Sequence, residues 1–362
     1  MTPRGRVQAA LRREPTDRVP LFMWFHPQTA ERLASLLEIP AGLVGEAMGN
    51  DVRQAWVNNN YAMEGIVHAR DGEWHRDFWG IRWVKQGAFN QPVEFPLAGA
   101  GEEEALAYPF PYEHQDFLLH RMDGVLEGGE RFFIGCDVSP CAFEMYWRLR
   151  GLEQALVDLA VRPAFAARLL ERCAGFARDL AEEACRRFPL DWLWTGDDVA
   201  GQHGLILSPE LWRELIKPLL AEVFAVGKRA GLPVAYHCCG ALRPIIPDLL
   251  EIGLDVLNPL QHGCPGMEPR ELKREFGDRL AFMGGLDTQG ILPFGAEVEV
   301  HRHTAELLET MCSGGGGFIL AASHTIPPET PERNIFALYA AAGIAREEIF
   351  DRAADLRRTG RA

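Results

Sequence analysis

Short apolar runs alternate with helical patterns along most of this chain. From residue 116 the alternation becomes regular. Asp116–Glu127 has helical spacing, Phe132–Val138 is an apolar run, and Leu152–Leu159 and Pro163–Arg187 are helical again. Further apolar runs follow at Asp191–Thr195, Pro233–Tyr236, Val256–Leu260, Leu280–Gly284 and Gly317–Ala321. Helical patterns at Pro209–Ala230, Leu242–Glu251, Pro269–Phe276, Ala296–Cys312 and Pro331–Ala342 separate them. Short strands that are apolar on both faces and divided by helices mark a parallel sheet covered on both sides.

Upstream, Arg6–Arg13 reads as a short amphipathic helix, an N-terminal extension ended by Pro15 and Asp17. Val19–Phe25 reads as a first strand, Thr29–Leu37 as a helix and Asp51–Val57 as a second strand. Counting these two gives eight strands, so the pattern predicts an α/β fold, a closed (β/α)₈ TIM barrel, as one domain over residues 1–362. A doubly wound sheet would carry a phosphate-binding glycine fingerprint after an early strand. None is present, and the glycines at 314–317 precede a strand instead. WHRDFWGIRWVK, at Trp74–Lys85, alternates aromatics around a bend and predicts an inserted β-hairpin. Gly87–Gly101 and the acidic run Glu102–Glu104 read as loop, and Arg346–Ala362 as a polar tail ending in a loose helix.

Composition narrows the function. The chain has 362 residues, 47% of them apolar, enough for a large core. Its formal charge of −14 disfavours nucleic acid and anionic membrane as partners. The eight cysteines show no disulfide spacing, no window is long and apolar enough to span a bilayer, and the first residues lack a signal-peptide core. These features predict a cytoplasmic location.

In a barrel, all strands deliver their C-terminal ends to one mouth. Read off the pattern, that mouth receives His26, Asp137, Asp197, Asp198, His237, Cys239, Asn258, Gln261, Asp287 and His324, with His262 and Cys264 just beyond. His237-x-Cys239 sets a nitrogen and a sulfur donor two positions apart, on one face of a strand. Zinc takes such donors and keeps an open position in catalytic sites. Packing of a buried imidazole and thiol is the competing reading, and His324 arriving at the same mouth favours metal. Adjacent Asp197 and Asp198 are costly after a buried strand unless paired or used. Helix capping or a buried ion pair is their alternative. Asp287 either caps a loop or meets substrate. Trp24, Trp56, Trp192 and Trp194 supply core, and some of them a wall for a flat ligand.

Four segments carry a resemblance: DWLWTGDDVAGQHGLILSPELWRELIKPLL, YHCCG, DVLNPLQHGCPGMEPRELKREFGDRLAFMGGLDTQ and GGFILAASHTIPPETPERNIFALY. The chain resembles the uroporphyrinogen decarboxylase superfamily, which also contains cobalamin-linked methyltransferases and has the (β/α)₈ fold. True decarboxylases carry an arginine-rich pattern after the first strand, where this chain reads MWFHPQTAERLA. They also use an aspartate near the second strand, where this chain reads VRQAWVNNNYAM, and a tyrosine near the place of Tyr146. An anionic tetrapyrrole needs the missing cations. The similar methyltransferases bind zinc through an H-x-C pair, matched by His237 and Cys239, and a later cysteine, whose place His324 takes in AASHTIPP.

The resemblance implies a zinc methyltransferase. It would move a methyl group between a small methylated substrate, ether or thiol, and a corrinoid carried by a partner protein. The metal ligands would be His237, Cys239 and His324, with Asp198 a candidate fourth. Asp197, Asp198, Asp287 and His324 would serve catalysis, and Asn258 and Gln261 would contact cofactor. Superfamily members often dimerise, so a homodimer is one expectation. A metal-free decarboxylase of a pyrrole or aromatic carboxylate, using His324 and Asp198, is the alternative. A non-catalytic corrinoid-partner or regulatory protein is the third reading.

Overall fold

A computed structural model describes residues 1–58 and 68–359. The end of the VRQAWVNNNYAM segment and the last three residues of the tail fall outside the described residues. Seven parallel strands form one curled sheet in sequence order: β1 (Val52–Trp56), β2 (Phe133–Asp137), β3 (Trp192–Gly196), β4 (Val234–His237), β5 (Val256–Leu260), β6 (Ala281–Leu286) and β7 (Phe318–Ala322). The strands from β2 onward lie within or beside the predicted apolar runs, and most of their residues are buried. Helices connect them, as the alternation requires.

The expected first strand, Val19–Phe25, is not a regular strand. It runs extended through the seam between β7 and β1, making isolated bridges from Leu21 to Leu320 and from Phe25 to Ile326. On its β1 side, a backbone bond from Asp51 N–H to the Leu21 carbonyl at 2.8 Å is supplemented by side chains. Asp51 accepts the Leu21 N–H at 2.8 Å, and Asn50 both accepts from Met23 N–H and donates to its carbonyl at 2.9 Å. Pro20 has no N–H to offer. The barrel therefore closes through one irregular segment.

Other boundaries shift too. Pro209–Ala230 is two helices, Pro209–Leu215 and Lys217–Arg229. Pro218 lacks an N–H and crowds the carbonyl four residues back, so the helix restarts there. The hairpin insert gains a third strand, Phe89–Glu94, inside the predicted loop. Glu102–Glu104 begin a helix, Glu102–Ala107, where their charges favour the helix N-terminus. The tail forms a helix over Arg346–Arg358.

The N-terminal helix, Pro3–Leu11, plugs the end opposite the mouth. Arg4 bonds Asp191 at 2.8 Å, and the Ala10 carbonyl accepts from Gly317 N–H just before β7. Above Val7, a column of aromatic rings fills the barrel. Phe133 contacts Trp192, Trp192 contacts Trp194, and Trp194 contacts Trp24, with centroids 5.0, 5.3 and 5.6 Å apart. Gly135 on β2 makes room, since a Cβ there would lie 2.1 Å from Trp192 Nε1. This packed column is the floor on which the mouth residues stand. No helix of the described residues is long and apolar enough to cross a membrane.

Candidate metal centre

His237 is the last residue of β4, and the chain turns at once. Cys239 lies in that turn, not on the strand that simple alternation suggested. Its Sγ still sits 3.4 Å from His237 Nε2. The turn depends on Gly240, whose φ of +92° is left-handed and whose missing Cβ would fall 2.4 Å from the Gly201 carbonyl oxygen. Gly240 N–H donates to Gln261 Oε1 at 2.8 Å. His324 follows β7 by two residues. One donor atom each from His237, Cys239 and His324 lies within 4.8 Å of the other two.

Neighbours fix these donors. His237 Nδ1 lies 2.6 Å from Asn258 Oδ1, which leaves Nε2 for a ligand role. Asp198 Oδ1 accepts the Cys239 N–H at 2.9 Å and holds the turn. Burial, and then the His237 imidazole, push His324 down to about 4, so it is neutral near pH 7, the state that ligates metal. Burial first, and then the Asp198 charge, push the Cys239 thiol well above its ordinary range. A bound cation reverses that balance. Two imidazoles and one thiol are a donor set that fits zinc.

A cavity of about 150 Å³ opens above the centre. Its lining includes His237, His324 and Asp198, the indoles of Trp24, Trp56 and Trp194, and Glu144 and Arg148. A larger, more open cleft of about 730 Å³ lies at the other end of the barrel. There Arg6 and Arg18 are already spent on the buried Asp51.

The other expected site residues separate by geometry. Asp197 is fully buried and accepts from the Phe143 and Glu144 N–H groups at 2.8 and 2.6 Å. It caps the helix Phe143–Arg150, the capping reading that its sequence position allowed. Burial holds its pKa up to about 8, against the pull of the two N–H donors. Asp287 accepts from the Gln289, Gly290 and Ile291 N–H groups at 2.9 to 3.1 Å, so it caps a turn and does not line the cavity. Asn258 and Gln261, expected at a cofactor, bond His237 and Gly240. Asp198 lines the cavity beside the donors, without joining the three-residue cluster. His262 pairs with His303 at 3.2 Å, and Cys264 is buried in the core; neither belongs to the cluster.

Sequence reasoning missed Glu144 and Arg148. They lie one turn apart on a helix that follows β2, form an ion pair, and line the cavity. The signal was the E-x-x-x-R spacing just past a strand end.

Comparison with known proteins fits this architecture. A family model described as uroporphyrinogen decarboxylase (URO-D) matches residues 123–343, more than half of the chain. Uroporphyrinogen decarboxylases from two strains of Thermus thermophilus are 30% and 29% identical over 169 residues. Those matches take in 46% of this chain and 44% of each relative, so the chain matches less than half the length of these relatives. The structure of a methyltransferase from Methanosarcina mazei aligns with a TM-score of 0.66 over 95% of this chain and 98% of that one. At 19% identity, that likeness shows the fold. With six of its seven sheet strands and most of its mouth inside the matched segment, the chain belongs to the uroporphyrinogen decarboxylase (URO-D) family.

Proposed function

We propose that this chain moves a methyl group between a small methylated substrate, an ether or a thiol, and a corrinoid carried by a partner protein. The observation that carries this reading is the convergence of His237, Cys239 and His324 on one point at the cavity floor. Those three residues would hold a zinc ion, which supplies Lewis acidity toward the oxygen or sulfur that bears the methyl group. Asn258 keeps the His237 ring in one tautomer, and Asp198 keeps the Cys239 turn in place. Cys239 gives up its thiol proton when a cation is bound. Trp24 and Trp194, with ring centroids 6.4 Å from His237, form an apolar wall beside the donors. The cavity has room for a small molecule and none for a corrin ring, which supports a corrinoid presented from outside.

The family match favours a second reading, decarboxylation of a pyrrole or aromatic carboxylate with Asp198 and His324 handling protons. A cavity of about 150 Å³ lined, among the described residues, by one arginine suits a tetrapyrrole polyanion poorly. One assay separates the two. The protein is incubated with free cob(I)alamin and a panel of methyl ethers and methyl thioethers. The proposal expects methylcobalamin, lost in H237A and C239A. Carbon dioxide release from uroporphyrinogen, with no methylcobalamin from any donor, would favour the second reading.

A further inference from the structure

Arg148 is only 6% exposed, yet its Nε and Nη1 atoms meet no acceptor. Its Nη2 pairs with Glu144. Buried donors are rarely left unpaired, because desolvation is then uncompensated. The guanidinium lies over the Trp83 and Trp147 rings, 5.3 and 6.0 Å from their centroids, which hold it without neutralising it. Arg148 lines the same cavity as His237 and His324. Trp194, in the same lining, also keeps an unpartnered buried indole N–H. Both shortages are of acceptors. Asp137 Oδ1 accepts from Ser139 N–H and Asp198 Oδ1 from Cys239 N–H, and neither carboxylate reaches the Arg148 Nε and Nη1 atoms.

The missing partner is therefore rich in acceptors, and an ionised carboxylate is the strongest acceptor for a guanidinium N–H. The indole walls suit a flat body. A cavity of about 150 Å³ is of the size that takes one six-membered ring. We propose that Arg148 anchors the substrate, and that the substrate is a small planar carboxylate. Its anionic end takes the Arg148 Nη1 donor, and its methylated end faces His237, Cys239 and His324. The methylated end rests on the methyl-transfer reading above.

Calorimetry on the full chain tests this with 4-methoxybenzoate and methoxybenzene as probes. Wild type is expected to bind the carboxylate about thirtyfold more tightly than the neutral ether. R148M should lose that preference, and R148K should keep part of it, because lysine retains the charge without the planar guanidinium. Circular dichroism checks folding, and R148K alone decides if R148M does not fold. No binding of 4-methoxybenzoate, equal binding of the two probes by wild type, or a preference unchanged in the folded variants overturns the proposal. Methylcobalamin formation is read on the same samples. An Arg148-dependent carboxylate preference without methyl transfer keeps the anchor and removes the methyl-transfer reading. Methyl transfer without that preference does the reverse.

Discussion

His237 Nδ1 lies 2.6 Å from Asn258 Oδ1, across neighbouring strands of the barrel. An amide oxygen only accepts, so Nδ1 carries the proton and Nε2 presents a lone pair toward Cys239. The Asn258 amide reaches the Met283 carbonyl at 3.5 Å, which ties the ligand to a third strand. Asn258→Leu removes the acceptor and frees the ring. Zinc affinity should fall about 10- to 100-fold while the fold persists. Competition against a chelator of known affinity measures it, and an unchanged constant would remove Asn258 from the account.

The donor at position 324 can be varied chemically. His324→Cys keeps a soft donor at the same strand end, whereas His324→Ala leaves two donors. The cysteine variant should hold zinc through dialysis against a weak chelator, and the alanine variant should lose it. Metal content per chain reads both outcomes. Full retention by the alanine variant would mean that His324 is not a ligand.

Asp197 is assigned to structure. Asp197→Ala leaves the Phe143 and Glu144 N–H groups without their acceptor. A loss of about 1–3 kcal/mol is expected in denaturant unfolding, with Asp197→Asn losing less because one oxygen remains. Zinc content should stay at the wild-type level in both.

How much was legible in the sequence follows from these residues. The β2 to β7 runs were readable because a strand buried on both faces needs no alternation, only apolar length and helical flanks. The seam segment misled because its pairing depends on Asp51 and Asn50, which bond it through side chains. His237, Cys239 and His324 stood out because soft donors at strand ends are uncommon in a core. Asp197 shared that position, and a strand-end acid can equally turn sideways to cap a helix. Arg148 was hidden because every residue of Phe143–Arg150 carries a long or bulky side chain, and spacing alone does not say which face meets a cavity.

Acid should weaken the inserted sheet. Burial, and then the His68 imidazole, hold His75 down to about 4, below the ordinary 6.5. As pH falls, the unfolded chain takes up that proton first. This contribution to stability is full above 6.5 and is lost progressively toward 4. His75→Gln should flatten the stability curve within that window, as denaturant unfolding across it would show. A curve with the wild-type slope would contradict the assignment.

The central claim is that one metal ion is gripped by two imidazoles and one thiolate. X-ray absorption at the zinc edge, on protein purified without chelator and supplied with zinc, tests it most directly. The account predicts one zinc per chain, with nitrogen neighbours at about 2.0–2.1 Å and one sulfur at about 2.3 Å, the sulfur lost in C239A. A folded chain that cannot take up zinc, or a zinc shell without sulfur, would contradict it.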